Sequence, residues 1–177
     1  MYLKEGVDFK KYSKVMLDHV VFYPHPEAQF KGLEADDLKT MEDFFHSALK
    51  KEMEKDYPLI SYSVVEAPGA DVMRIRIAVT DIIPGRPAVC GARMAVYPVS
   101  ITAGGIRKAV TGENFGVGSA SMEVEMSDSM TNQRIAAAID KYTESSEFCT
   151  GRYGAVNEAF DFWAKRLRFF MDNIHGN

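Results

Sequence analysis

Between Gly118 and Met126 the residues alternate with a period of two. Gly118, Ala120, Met122, Val124 and Met126 fall on one side, and Ser119, Ser121, Glu123 and Glu125 on the other. Successive side chains of a strand point to opposite faces, so the run reads as a strand packed on one face and wet on the other. A polar stretch, Ser127 to Gln133, and a second run, Arg134 to Tyr142, complete a β-hairpin. Such a hairpin must be covered on its apolar face, and the sequence supplies two covers.

The stronger is Gly154 to Ile174. Val156, Phe160, Trp163, Leu167, Phe170, Met171 and Ile174 recur at helical spacing, with Asn157, Asp161, Lys165 and Arg168 opposite. The second cover is Leu33 to Lys55, where Leu38, Met41, Phe45, Ala48 and Leu49 make the stripe. Asp36, Asp37, Glu42 and Asp43 lie toward its N-terminus and Lys50 and Lys51 toward its C-terminus, which complements the helix dipole.

Three further strands are predicted. Lys14 to Tyr23 holds Val15, Met16, Leu17, Val20, Val21 and Phe22, a nearly continuous apolar run of the kind found in a central strand buried on both faces. Ser61 to Glu66 and Val72 to Ile83, joined by the turn Pro68-Gly69-Ala70-Asp71, read as an antiparallel hairpin with Arg74 and Arg76 on its polar side. From Ala88 to Gly116, prolines and glycines break every period, and only Ser100 to Val110 suggests a short crossover helix. The expected fold class is α+β: a mixed, mostly antiparallel sheet of about five strands with two amphipathic helices packed on one face.

A chain of 177 residues is expected to form one domain, with 14–174 as the folded core. Hydrophobic residues at 46% and charged residues at 26% are globular values, and they exclude a disordered acidic chain. A net charge of −4 excludes a nucleic-acid partner, because phosphate contacts need clustered Lys and Arg. The densest basic run, Lys165, Arg166 and Arg168, reads as the solvated face of its helix. No apolar run of transmembrane length is present, and Met1 to Glu5 lack the basic-then-apolar order of an export signal. Cys90 and Cys149 belong to no C-x-x-C pair. Two buried free thiols are the plain reading, and a single disulfide is the alternative in an oxidising compartment.

The only carboxylate cluster that invites a chemical reading is Glu123 and Glu125 with Asp128 beyond them. Alternate strand residues stand about 7 Å apart, a spacing that suits a carboxylate-dependent hydrolase or a hard cation. The plainer reading pairs these glutamates with Arg74 and Arg76 across neighbouring strands. Gly112, Gly116 and Gly118 do not open a helix after a strand, so they are turn glycines, not a phosphate loop. His19, His25, His46 and His175 are scattered without ligand spacing and read as structural or exposed. Phe160, Trp163 and Phe170 read as core, with an apolar-ligand pocket as the alternative.

Several stretches in fixed order carry a family resemblance. They are Tyr12-Ser13-Lys14-Val15-Met16-Leu17-Asp18-His19-Val20, the acid-led helix at Leu33, Val79-Thr80-Asp81, Gly116 to Glu125 with Asp128-Ser129, Ala136-Ala137-Ala138-Ile139-Asp140, and Phe162-Trp163-Ala164. Over almost the whole chain this resembles the bacterial family catalogued as domain of unknown function 3313, predicted envelope lipoproteins. Members usually begin with an export signal, a lipid-accepting cysteine and a short tether. The resemblance therefore implies a periplasmic-side envelope domain, lipid-anchored in its precursor, with residues 1–13 as a remnant of the tether. In element order alone the chain is also similar to small α/β domains of other envelope lipoproteins and to the TolB N-terminal region, which serve in binding and assembly.

The expected function is thus non-catalytic binding of an envelope protein or component, with no cofactor. Glu123, Glu125, Asp128, Arg74 and Arg76 are the candidate binding residues. The rivals are a carboxylate- or metal-dependent hydrolase using Glu123, Glu125 and Asp128, and a carrier of a small apolar ligand.

Overall fold

The computed structural model describes residues 1–23, 35–55, 61–83, 119–143 and 154–175. They form strands β1 (Tyr2–Leu3), β2 (Lys14–Leu17), β3 (Val21–Phe22), β4 (Ser63–Val64), β5 (Val72–Ile83), β6 (Ser119–Asp128) and β7 (Arg134–Thr143), with helices α1 (Ala35–Met53) and α2 (Gly154–Ile174). The strands make one mixed seven-stranded sheet in the order β1-β7-β6-β5-β2-β4, with β3 also paired to β5. The fold class is α+β. The long ladders β5/β6 and β6/β7 are antiparallel, whereas β2, β3 and β4 join in parallel. Cys90, Cys149, His25, the glycines at 112, 116 and 118 and the crossover helix expected at Ser100 to Val110 lie outside the described residues.

One side of the sheet is the core. Met73, Ile75, Ile77 and Val79 of β5 and Met122, Val124 and Met126 of β6 are buried under Met41, Phe45, Leu49 and Met53 of α1 and Val156, Phe160, Trp163, Leu167 and Met171 of α2. Phe45 stacks on Phe160 with ring centroids 4.3 Å apart, and Trp163 tilts against both. Each such ring removed from water contributes about 2–3 kcal/mol. The Trp163 indole N–H reaches Asp140 Oδ2 at 3.2 Å, so its polar edge is satisfied at the rim.

Three expectations are corrected. First, Lys14 to Tyr23 is not one strand buried on both faces. Leu17 pairs with Ile75 but Val21 with Ala78, so four steps along one strand answer three on its neighbour, and one residue is surplus. The surplus reverses the alternation: Val20 turns into the core while Val21 faces out, 44% exposed.

Second, β4 does not pair with β5. Lys14 lies between Ser63 and Val72, so β2 is inserted between them and all three run parallel. Because β4 has only two residues and begins level with β5, the connection crosses sideways and needs no long return.

Third, Arg168 is not on the solvated face of α2. It is 5% exposed, holds Asp172 at 3.0 Å, and donates from Nη1 to the carbonyls of Glu52, Met53 and Lys55 at 2.8–3.1 Å. The last carbonyls of a helix have no partner within it, and here a guanidinium from the neighbouring helix takes them. Tyr62 lies beneath that guanidinium, 4.9 Å from ring centre to Cζ.

Residues 1–13, expected as a tether remnant, pack onto the sheet and the core. Tyr2 and Leu3 pair with Ala137 and Ala136, and Tyr12 is wholly buried. His175, at the end of α2, is engaged at both ring nitrogens: Nε2 lies 2.8 Å from the Tyr12 carbonyl and Nδ1 2.7 Å from that of Met171.

Candidate functional site

The face of the sheet turned away from the helices is built in rows, because paired residues on adjacent strands point the same way. One row is Arg74 and Ser127, with Arg134 beside Ser127 on β7; the next is Arg76, Glu125, Ala137 and Tyr2; the third is Val21, Ala78, Glu123 and Ile139. The first two rows are charged and the third is apolar around a single acid.

The charged end is a closed network. Arg74 grips both oxygens of Asp18 at 2.7–3.0 Å. Arg76 reaches Asp18 at 3.4 Å and Glu125 across the strands at 3.7 Å, while Arg134 holds the other Glu125 oxygen at 2.7 Å. Asn132, in the left-handed region at φ 55° in the β6–β7 turn, accepts from Arg74 Nη1 at 3.1 Å. Asn tolerates that backbone better than other residues with a Cβ, and the turn thereby aims its amide at the arginines.

Among the described residues nothing covers the apolar end. Ile139 is 75% exposed and Tyr23 61%, and with Tyr2, Val21, Arg76 and Glu123 they border a shallow groove of about 720 Å³. Glu123 is exposed and bonded to none of the described residues. Its neighbours across the sheet are Ala78 and Ile139, not the arginines.

Asp128 stands apart from the two glutamates. It falls in step with Met126, Val124 and Met122, pairs with buried Met73, and so points to the helix side. There its Oδ2 accepts from Lys11 Nζ and Tyr12 Oη, both at 3.0 Å, and its Oδ1 from the amides of Met130 and Thr131 and the Thr131 hydroxyl at 2.9–3.1 Å. Burial alone would push this carboxyl up. The Thr131 amide, the Lys11 ammonium and the two hydroxyls outweigh it and hold the group well below the usual carboxylate range. Asp128 is thus a clasp between the N-terminal segment and the β6–β7 turn.

Of the five candidate residues, the structure joins Arg76 to Glu125, sends Arg74 to Asp18, gives Glu123 no partner among the described residues and puts Asp128 on the other face. The trio proposed for a hydrolase or metal does not converge. Among the described residues no group of three His, Cys, Asp or Glu is placed to hold an ion. His19 lies 2.7 Å from Glu42, a partner that spacing did not reveal. Two residues outside the candidate set complete the open face: Asp18, whose place beside Arg74 no local pattern signals, and Arg134, which begins β7 nine positions after Glu125.

Among the described residues, a mixed sheet backed on one face by two helices, with charge at one end of its other face and hydrocarbon at the opposite end, defines a small α+β domain. Protein XCC0632 from Xanthomonas campestris has the same fold, with a TM-score of 0.51 over 91% of this chain and 84% of its own, at 9% identity. The PelC dodecamer from Paraburkholderia phytofirmans superposes at 0.46 with 10% identity over 89% and 86%. Lipoprotein GNA1162 from Neisseria meningitidis does so at 0.42 with 9% identity over 91% and 99%. No curated protein matches the sequence. The chain belongs to the family described as protein of unknown function DUF3313, whose model matches residues 1–167. Among the described residues no helix is long and apolar enough to cross a membrane.

Proposed function

We propose that this domain is the non-catalytic, periplasmic-side portion of a bacterial envelope lipoprotein, and that it binds a protein partner through the open face of its sheet. The observation that carries the reading is the row Val21, Ala78, Glu123 and Ile139, where large apolar side chains stand in water beside an acid that no cation neutralises among the described residues. A contiguous apolar surface rimmed by charge is characteristic of interaction sites. The envelope setting rests on membership of a family whose members resemble lipoproteins. Glu125 is occupied by Arg76 and Arg134, so Glu123 is the acid available to a partner.

A photo-reactive amino acid placed at Tyr23, with Lys165 on the outer surface of α2 as control, tests both halves of the proposal in cells expressing the full precursor. Cross-linked species from Tyr23 in the envelope fraction, absent from Lys165, are expected. Equal cross-linking from both positions, or recovery of the precursor in the cytosol without lipid label, refutes the proposal.

A further inference from the structure

β7 is longer than the strand that covers it. β1 pairs only with Ala136 and Ala137, and just beyond it the Lys4 amide donates to the Ile135 carbonyl at 2.9 Å. Peptide groups alternate sides along an antiparallel strand, so groups aimed away from β6 recur at Ile135, Ala137, Ile139 and Lys141. β1 occupies those of Ala137, and among the described residues no strand takes those of Ile139 and Lys141.

The same two residues carry the unused side chains. Among the described strand residues Ile139 is the most exposed large hydrophobic side chain, at 75%, and Lys141 is exposed beside it on the bare face. Arg74, Arg76 and Arg134 on that face each have a carboxylate, whereas Lys141 has none among the described residues. Among the described residues, main chain, hydrocarbon and positive charge without partners therefore coincide at two positions of one edge.

A second copy of the chain does not suit this edge. Two-fold antiparallel pairing that keeps like faces together must centre on a residue, and the registers that set both Ile139 and Lys141 against described residues near the free edge centre on Ile139, Asp140 or Lys141. Centring on Asp140 or on Lys141 sets like charges directly opposite each other, which is destabilising. Centring on Ile139 sets Lys141 opposite Ala137, where β1 already lies. A strand of different sequence avoids all three conflicts.

We propose that the Ile139–Lys141 edge of β7 receives an extended segment of another protein as an added strand, with an apolar residue opposite Ile139 and an acidic residue opposite Lys141. Main-chain hydrogen bonds supply the affinity of such an addition and alternate side chains its specificity. The proposal rests on the binding reading above and names the chemistry of the partner. An acidic preference runs against the chain's net charge of −4, so it marks this edge and not general electrostatics.

The test is fluorescence polarisation of the whole chain with three labelled extended peptides of equal length. One carries Val and Asp two residues apart, one has Lys in place of Asp, and one repeats the first with N-methyl groups on the amides facing the edge. The Asp peptide is expected to bind about tenfold tighter than the Lys peptide, with the N-methyl peptide not binding. Lys141→Glu, an exposed substitution compatible with folding, reverses the charge order. Equal binding of all three peptides, binding of none, or an unchanged order in Lys141→Glu overturns the proposal. So does a dimer seen by sedimentation that Lys141→Glu abolishes, since it gives the edge to a second copy. Failed peptides with cross-links still formed from Tyr23 remove the edge alone. Loss of both removes the binding reading as well.

Discussion

The two faces of this sheet both carry charge, and they use it differently. On the helix side Arg168 and Asp128 are buried, and each is surrounded by partners that only the folded chain brings together. On the bare side Arg76, Glu125 and Arg134 are partly or largely exposed and trade partners within one network. A buried charge without its partners costs several kcal/mol, whereas an exposed pair contributes little. The helix side therefore stores stability in its polar groups, whereas the paired polar groups of the bare side add little to it.

Substitutions on the two sides should separate by size. Arg168→Ala removes the guanidinium from the carbonyls of Glu52, Met53 and Lys55 and from Asp172, so urea denaturation is expected to show a loss of about 3–5 kcal/mol. A loss below about 1 kcal/mol would erase the distinction between the faces. Asp128→Ala removes the clasp on Lys11, Tyr12 and the β6–β7 turn and is expected to cost about 3 kcal/mol. Because the Asp128 carboxyl is held below its unfolded value of about 4, its stabilisation is present above that pH and is lost as pH falls further. The gap between wild type and Asp128→Ala should accordingly narrow in acid unfolding.

Tyr62 gives the opposite sign. Burial, with the Asp172 carboxylate adding to it, pushes its hydroxyl up to about 12. The neutral phenol stabilises the fold below the unfolded value of about 10, and that contribution fades as pH rises toward 12. Wild type is expected to lose about 2 kcal/mol relative to Tyr62→Phe across this window, measured by alkaline denaturation. The smallest effect belongs to the bare side: Glu125→Gln breaks pairs with Arg76 and Arg134 and should change stability by less than about 1 kcal/mol. A larger change there would mean that this network, too, holds the fold.

Much of the helix side was legible because its signals are local. The period of two in Ala120 to Met126 and the period of 3.6 in Val156 to Met171 each place a face without reference to the rest of the chain. The bounds of α2 and β5 agree with the pattern to the residue. Asp128 was legible as well, since counting by twos from Met122 puts it on the apolar side; grouping it with Glu123 and Glu125 let charge outweigh parity. Other features depend on distant segments. Nothing near Ser61 to Glu66 says that β2 will enter between it and β5. Nothing in α2 marks Arg168 as a cap for another helix, apart from its four-residue spacing to Asp172. The surplus residue between Leu17 and Val21 appears only when both are matched against β5.

The short N-terminal strand gives the molecule a direction in which it yields. Among the described residues, a pull at Met1 first loads the bonds from β1 to Ala137 and Ile135, then the packed side chains of Val7 and Phe9, before the tension reaches the Tyr12 and Lys11 anchors on Asp128. Those few bonds break in succession, as in a zipper, and each release adds length to the exposed border of β7. Tension applied at Met1 would therefore widen the place where a new strand can dock. Force spectroscopy with a handle at Met1 should record a small early extension before the main rupture, and its absence would show that β1 holds as firmly as the strands within.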